Sequence, residues 1–307
     1  MNAPVPRTIA EYLKQLRAAL RGADPAMIQD ALYDAEEHLR AELAERGDGD
    51  EVAMLAEVVG SYGAPEEVAE IYRDQEVTVQ RALRTPRTPP RRSLIGRFFG
   101  VAADPHTYGA LFYMVLAMAT GIFYFTWVMA GAGMSIGFSI LIIGIPFLVL
   151  FIGTVRALSL VEGRIVETML GVRMPRRPAY ADRSLPWLKR IGAMFTDPRT
   201  WSTLLYMLLM LPLGVAYFVI MVTGICLSVS LAVAPWIALF VQHAEIGGIY
   251  VDGHAWPPHA WHVWMVPVIS VIGILLLFTV MHLARGIGHL HGHLAKHLLV
   301  RCRESDV

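Results

Sequence analysis

Charged residues and cysteines are scarce in this chain of 307 residues. Only 17% of the residues are charged and 55% are hydrophobic, and the mean hydropathy of +0.48 excludes an ordinary water-soluble protein. Two cysteines, Cys226 in an apolar segment and Cys302 near the C-terminus, argue against a disulfide framework. The first 30 residues hold no continuous apolar run, so we expect no signal peptide.

Several common motifs of catalytic and cofactor-binding sites are also missing. The sequence holds no P-loop, no dinucleotide-binding motif, no CxxC pair and no HExxH zinc motif. We therefore predict that the protein is not an enzyme, with no catalytic residues and no organic cofactor.

The most informative feature is a repeated stretch. Residues 104–125 begin Asp104-Pro105 and recur 93 residues later, beginning Asp197-Pro198, with ten of the 22 positions identical. An aspartate before a proline favours a helix start, because the carboxylate caps free N–H groups and proline fits the first turn. The repeat predicts two tandem membrane units, each opening with a capped helix.

Residues 1–80 are strongly acidic, in contrast with the apolar repeats. They carry 17 of the 26 acidic and 7 of the 26 basic residues, a net charge of −10, whereas residues 81–307 have a net charge of +10. Four amphipathic stretches predict four short helices in a bundle. The predicted fold class is therefore all-α: a small cytoplasmic helical bundle, then a polytopic α-helical membrane domain built from two tandem repeats.

The predicted segments follow these changes in composition. An Arg/Pro-rich linker at 81–97 leads to a first membrane repeat at 98–172, a connection at 173–193, a second repeat at 194–300 and a tail at 301–307. The positive-inside rule places the basic connection and both termini in the cytoplasm.

The number of crossings is less clear from the sequence. We predict a tight turn at Gly131–Gly133, a re-entrant or interfacial segment at 225–241, and an outer loop at 243–264 with a small hairpin around 247–253. This topology has four crossings, and five is the alternative.

Two stretches within residues 1–80, the acidic head of the chain, resemble the HAAS domain. They read DAEEHL from Asp34 and GAPEEVA from Gly63, within a resemblance that covers about residues 8–75. The resemblance implies a cytoplasmic signalling module associated with PadR-like winged-helix transcription regulators. The predicted partner-binding residues are Asp34, Glu36, Glu37 and His38. A solvated helix face is the alternative interpretation.

Residues 95–300 resemble the bacterial putative sensor domain family. The resemblance rests on the two Asp-Pro-x-Thr-aromatic starts, the Leu211–Phe218 stretch, the Gly144-Ile145-Pro146 sequence and the segment from Arg156 to Glu162. The family is a duplicated membrane module found alone or ahead of histidine kinases. It implies a sensing role, without a named signal, in the bacterial inner membrane.

Two groups of histidines are candidate ligand sites. His282, His289, His293 and His297 share one helical face and predict a divalent-metal site, which Glu162 and Glu167 would complete. A polar helix face beside lipid headgroups is the alternative. The second group, in the outer loop, is a candidate site for a signal, a proton or a metal: His243, Glu245, Asp252, His254, His259 and His262.

Together these patterns predict a membrane sensor whose head engages a PadR-type regulator in response to a membrane or envelope signal. The signal would shift the packing of the repeats and travel through the helices at 156–171 and 285–300. The expected partners are this regulator, membrane lipids and a second copy of the chain, without direct nucleic-acid binding. Two alternatives stay open: a small-molecule or ion transporter or channel built from two repeats, and a metal-binding membrane protein that uses the His-rich C-terminal helix.

Overall fold

The computed structural model describes residues 5–46, 50–83, 93–138, 144–177, 187–243, 249–251, 254–256 and 264–300. Within these ranges the regular secondary structure is helical apart from one short hairpin. The ten α-helices are α1 (Ile9–Ala19), α2 (Pro25–Arg46), α3 (Glu51–Ser61), α4 (Pro65–Leu83), α5 (Leu94–Phe99), α6 (Pro105–Phe138), α7 (Gly144–Leu170), α8 (Trp187–Thr196), α9 (Pro198–His243) and α10 (Met265–Leu299). The hairpin pairs Ile249–Val251 with His254–Trp256, antiparallel, close to where a hairpin was predicted.

Helices α1 to α4 form the predicted bundle, and they have a hydrophobic core of their own. Thr8 caps α1 by accepting a hydrogen bond from the Glu11 N–H at 3.1 Å. The core includes the fully buried side chains of Leu16 and Leu55. The Tyr12 hydroxyl donates to the Gly63 carbonyl at 2.9 Å, which ties the turn before α4 to α1.

Four of the described helices are long and apolar enough to cross a membrane: α6, α7, α9 as far as Phe240, and α10. Each has at least 27 residues, more than the roughly 20 that a hydrocarbon core requires. The finding agrees with the four crossings favoured from the sequence.

Two predicted breaks in these helices are wrong. Gly131–Gly133 lies inside α6, and residues 225–241 are part of the continuous helix α9. Gly131 is a packing position, because a Cβ there would overlap the Phe151 ring, and Gly224 in the second repeat likewise faces Val280. Pro235 lies within α9, because a membrane helix tolerates the loss of the single backbone hydrogen bond that a proline cannot donate.

Equivalent glycines bring α6 and α9 into close contact. A Cβ on Gly121 would overlap the Met210 carbonyl, and a Cβ on Gly214 would overlap the Ala117 carbonyl. The offset of 93 residues relates both Gly121 to Gly214 and Ala117 to Met210, so the contact is reciprocal. Small residues at such a crossing let two membrane helices approach closely.

By their contacts the residues form two compact units. The first comprises Met1–Thr85, Thr126–Leu208 and His291–Val307, and the second comprises Pro86–Phe125 and Leu209–Leu290. The head thus belongs to the same unit as the whole of α7 and α8, the C-terminal ends of α6 and α10 and the N-terminal end of α9.

The glycine crossing gives a first test. Gly214→Ala places a methyl group on the Ala117 carbonyl, and we expect a loss of about 1–3 kcal/mol in stability. Gly133→Ala is the matched control in α6, because nothing lies within 4 Å of its Cβ position and alanine favours a helix. Thermal unfolding followed by circular dichroism in detergent compares them, and equal transition temperatures would contradict the crossing.

Candidate functional site

A buried arginine joins the head to the end of α7. Arg173 follows that helix, and its side chain is only 8% exposed. Its Nη2 donates to Asp30 Oδ2 at 2.9 Å, its Nε to Glu76 Oε2 at 3.2 Å and its Nη1 to Glu167 Oε1 at 3.3 Å. The acceptors lie on α2, α4 and α7, so one guanidinium links carboxylates from three helices.

The surroundings keep this arginine charged. Burial alone would lower the pKa of Arg173, but Asp30, Glu76 and Glu167 together raise it above its usual value. Burial raises the pKa of Asp30, and the backbone N–H groups of Arg176 and Arg177 and the Arg173 guanidinium oppose that rise. These hydrogen bonds offset the loss of water around the Asp30 carboxylate.

The residues after Arg173 continue the contact along α2. Asp30 Oδ1 accepts hydrogen bonds from the N–H groups of Arg176 at 2.6 Å and Arg177 at 2.8 Å. The Gln29 side-chain amide donates to the Arg177 carbonyl at 2.7 Å. The Arg177 Nε lies 2.7 Å from Asp34 Oδ1. Residues 173–177 are therefore bound through both their backbone and their side chains.

Helices α9 and α10 also contact the head through polar groups. Lys296 Nζ on α10 donates to Asp24 Oδ2 on the head. Arg199 Nη1 on α9 donates to Gln29 Oε1 at 3.4 Å. In the ion pairs that join the head to the rest of the described chain, the head supplies the acids Asp24, Asp30, Asp34 and Glu76 and the other side supplies the base, in agreement with the charge asymmetry of the sequence.

A polar cavity of about 370 Å³ lies beside residues 173–177. The head contributes Asp34, Tyr72, Gln75, Glu76 and Val79 to its walls, among other residues. The opposite side includes Arg164, Arg176 and Arg177, which are about half exposed. The Tyr72 hydroxyl donates to Asp34 Oδ2 at 3.3 Å, and burial raises the pKa of Tyr72.

The predicted partner-binding residues have different surroundings from one another. Asp34 is engaged by Arg177 and Tyr72, while Glu36 is 3% exposed and accepts a hydrogen bond from Arg40. His38 stacks on the Tyr62 ring at 4.4 Å, and Glu37 is exposed. Partner binding by this set stays a prediction, with Glu36 turned into the head.

Sequence reasoning missed Asp30 and Glu76. Asp30 and Asp34 are four residues apart and therefore lie on one face of α2. This spacing from the predicted residue Asp34 could have identified Asp30 as a second residue of the site. Glu76 lies on another helix, so no local pattern relates it to Asp30.

A second buried polar group joins α7, α9 and α10. The Tyr206 hydroxyl donates to Glu162 Oε1 at 2.9 Å and lies 3.0 Å from His291 Nε2. None of the three residues is more than 1% exposed. Because the single hydroxyl proton of Tyr206 is directed to Glu162, the contact with His291 requires that its Nε2–H donate to the hydroxyl oxygen.

Glu162 and His291 occupy matching positions in the two repeats. His291 lies 129 residues after Glu162, the same offset that separates Arg285 from Arg156. The two arginines bind the aspartates that open the membrane helices: Arg156 Nη2 lies 3.1 Å from Asp197 Oδ2, and Arg285 Nη1 lies 3.0 Å from Asp104 Oδ2. Alignment of α7 with α10 was the signal in the sequence that could have identified His291.

The structure distributes the four histidines of the predicted metal site along an exposed face of α10. His282, His289, His293 and His297 are all exposed, and His282 Nε2 lies 3.0 Å from the Phe98 carbonyl oxygen. No three His, Cys, Asp or Glu side chains come together as a metal-binding group in the described part of the chain. The metal site stays a prediction, and Glu162 contacts Tyr206 and His291 instead of these histidines.

The predicted outer-loop site lies outside the described residues. Only the backbones of His243, at the end of α9, and His254, in the hairpin, are described. Glu245, Asp252, His259 and His262 fall in the gaps between the described ranges. This site also stays a prediction.

One further sequence pattern is explained by the fold. Residues Gly133 to Gly137 read G-M-S-I-G, the G-x-S-x-G pattern of a nucleophile elbow, but they lie inside α6. An elbow requires a sharp turn from a strand to a helix. The Ser135 hydroxyl instead donates to the Gly131 carbonyl at 2.6 Å.

Arg173→Met tests the contact between the head and α7. The change leaves buried carboxylates without their cation and should cost about 3–5 kcal/mol. The head keeps its own core, so the loss should be observed as detachment. We expect the Arg176 and Arg177 amides to exchange hydrogen at least about 100-fold faster, as measured by mass spectrometry.

Arg46→Met is the matched control for Arg173→Met. Arg46 pairs with the exposed Glu57 within the head, and an exposed pair contributes only about 0–1 kcal/mol. Unchanged exchange in Arg173→Met, or equal acceleration in both variants, would contradict the assigned role of Arg173.

Tyr206→Phe tests the second buried group. The change removes the hydroxyl that contacts both Glu162 and His291, and we expect a loss of about 1–3 kcal/mol. Tyr108→Phe is the control, because Tyr108 is 54% exposed. Thermal unfolding in detergent measures both variants, and a Tyr206→Phe protein as stable as the control would show that the bonds contribute nothing.

Comparison with family models gives two matches along the chain. Residues 11–71 match HAAS, and residues 113–299 match Putative sensor. No curated protein and no solved structure matches the chain. The order of the two matches confirms the resemblance found in the sequence, and HAAS is a signalling domain that interacts with partners. Because the second match covers more than half of the chain, this membrane protein belongs to the Putative sensor family, with a HAAS domain as its head.

Proposed function

We propose that this protein is a non-enzymatic sensor of the bacterial inner membrane whose head binds a PadR-type transcription regulator in the cytoplasm. The family matches support a signalling role and a regulator partner in general. The basic segment at 173–193 supports the orientation, because positively charged connections remain in the cytoplasm. The head and both termini are then on the side where such a regulator is found.

The observation that carries the proposal is the charged contact around Arg173. The head has a separate apolar core, and Arg173 and Lys296 form ion pairs with its acids. A buried ion pair contributes little net stability, because the cost of removing water offsets much of the attraction, yet it depends strongly on geometry. A small movement of α7 or α10 is therefore sufficient to release the head.

The Tyr206 group provides a route from the membrane helices to this contact. Glu162 contacts Tyr206, and Glu167, further along the same helix, contacts Arg173. A shift of α9 or α10 that breaks the Tyr206 bonds would move α7 and change the position of Glu167 relative to the head. The signal would thereby select between a docked and a released head.

Binding to a regulator tests the proposed function. The full chain in lipid nanodiscs is mixed with the PadR-type regulator encoded beside it, and the dissociation constant is measured by fluorescence anisotropy. We expect saturable binding that is at least about tenfold tighter for Arg173→Met, because loss of the docked contact frees the head.

A winged-helix regulator of another class serves as the control for specificity. Absence of binding to both the wild-type chain and Arg173→Met would refute the PadR-type partner. Equal binding of the PadR-type and control regulators would refute the specificity.

A further inference from the structure

We propose that the groove between α2 and α4 of the head is a binding site for a short arginine-rich peptide segment, and that residues 173–177 occupy it as an internal ligand. The external ligand would be a basic segment of the regulator, so this part rests on the proposed function. Asp30, Asp34 and Glu76 are the recognition residues of the groove.

Residues 173–177 are bound to the head as a separate peptide ligand would be. Residues 171–175 have no helix or strand, and the backbone after them is held by Asp30 and Gln29. Asp30 accepts two backbone N–H groups, and Gln29 donates to the Arg177 carbonyl. Backbone contacts of this kind give affinity to any segment with the same conformation, and side-chain contacts then give specificity.

The specificity arises from the Arg173 position. Asp30 and Glu76 accept from Nη2 and Nε of one guanidinium at 2.9 and 3.2 Å. A planar guanidinium presents donors in these two directions, whereas a lysine ammonium is a point charge on a flexible chain. An external peptide would lose the contact with Glu167, which belongs to α7, but would meet the same two head carboxylates.

The groove also has room for a replacement ligand. A cavity of about 370 Å³ lies beside the segment, and its lining on the head side includes Asp34, Tyr72, Gln75 and Val79. The Arg176 and Arg177 side chains remain 44% and 48% exposed. Arg173, Arg176 and Arg177 line this cavity at present, and when they leave, the head wall keeps the acids Asp30, Asp34 and Glu76. That wall disfavours an anionic ligand and favours a basic one, so charge complementarity identifies the occupant as an arginine-rich segment.

Competition by the chain's own sequence tests the groove. The probe is a fluorescent peptide of residues 171–177, Gly-Val-Arg-Met-Pro-Arg-Arg, added to the full chain in phosphatidylcholine nanodiscs. The wild-type groove is occupied, so we expect the Arg173→Met chain to bind the peptide at least tenfold more tightly. Asp30→Asn added to Arg173→Met should abolish that binding.

Two matched peptides and a second variant complete the experiment. A scrambled peptide of the same composition should not bind, and a peptide carrying Arg173→Lys should bind at least fivefold more weakly. Arg176→Gln with Arg177→Gln removes half-exposed side chains and should give a smaller gain in affinity. This double variant provides the test if Arg173→Met fails to fold.

The outcomes separate the groove from the proposed function, because no regulator is present in the peptide experiment. The proposed groove is wrong if the peptide binds equally to the wild-type chain, to the variants with arginines removed and to the double variant with Asp30→Asn and Arg173→Met. This holds even where the regulator binds elsewhere on the chain. Peptide binding that requires Asp30 supports the groove, even where the regulator does not bind.

Discussion

A buried guanidinium is no longer hydrated and must pair with carboxylates, and the contact between the head and the rest of the protein depends on that requirement. Arg173 obtains them from α2 and α4 of the head and from α7. Removal of any partner leaves a buried charge uncompensated, which costs more than the intact group contributes to stability. The contact therefore distinguishes sharply between a docked and a displaced head, and this property suits a signalling protein better than a rigid support.

The membrane helices supply a scaffold whose contacts follow the repeat. Gly121 and Gly214 exchange equivalent backbone contacts, and Arg156 and Arg285 bind the opening aspartate of the other repeat. Glu162 and His291 then occupy equivalent positions with different chemistry, and both contact Tyr206. The departure from symmetry consists of two ionisable side chains that are almost fully buried, where an ionisable group is costly unless it is hydrogen-bonded.

Local signals were sufficient to predict much of the fold. The four head helices follow from capping residues such as Thr8 and from the spacing of buried side chains such as Leu16, and the repeat with its apolar runs predicts the membrane helices. The prediction of a turn at Gly131 was wrong, because glycine often ends a helix in a water-soluble protein but allows close packing within a membrane helix.

The candidate site could be predicted only in part. The acidic head and basic remainder indicated that the two would attract, but not through which residues. Arg173 lies 143 residues from Asp30 and 97 from Glu76, so only the tertiary fold brings them together. The histidine spacing directed attention to an exposed face of α10, whereas the buried His291 belongs to the opposite face.

The central claim is that the regulator and the segment at 173–177 exclude each other from the head. Hydrogen exchange of the full chain in nanodiscs, measured with and without saturating PadR-type regulator, tests it most directly. The account predicts that the Arg176 and Arg177 amides lose protection when the regulator binds, while the core of α1 to α4 stays protected. Regulator binding that leaves these two amides fully protected would contradict it.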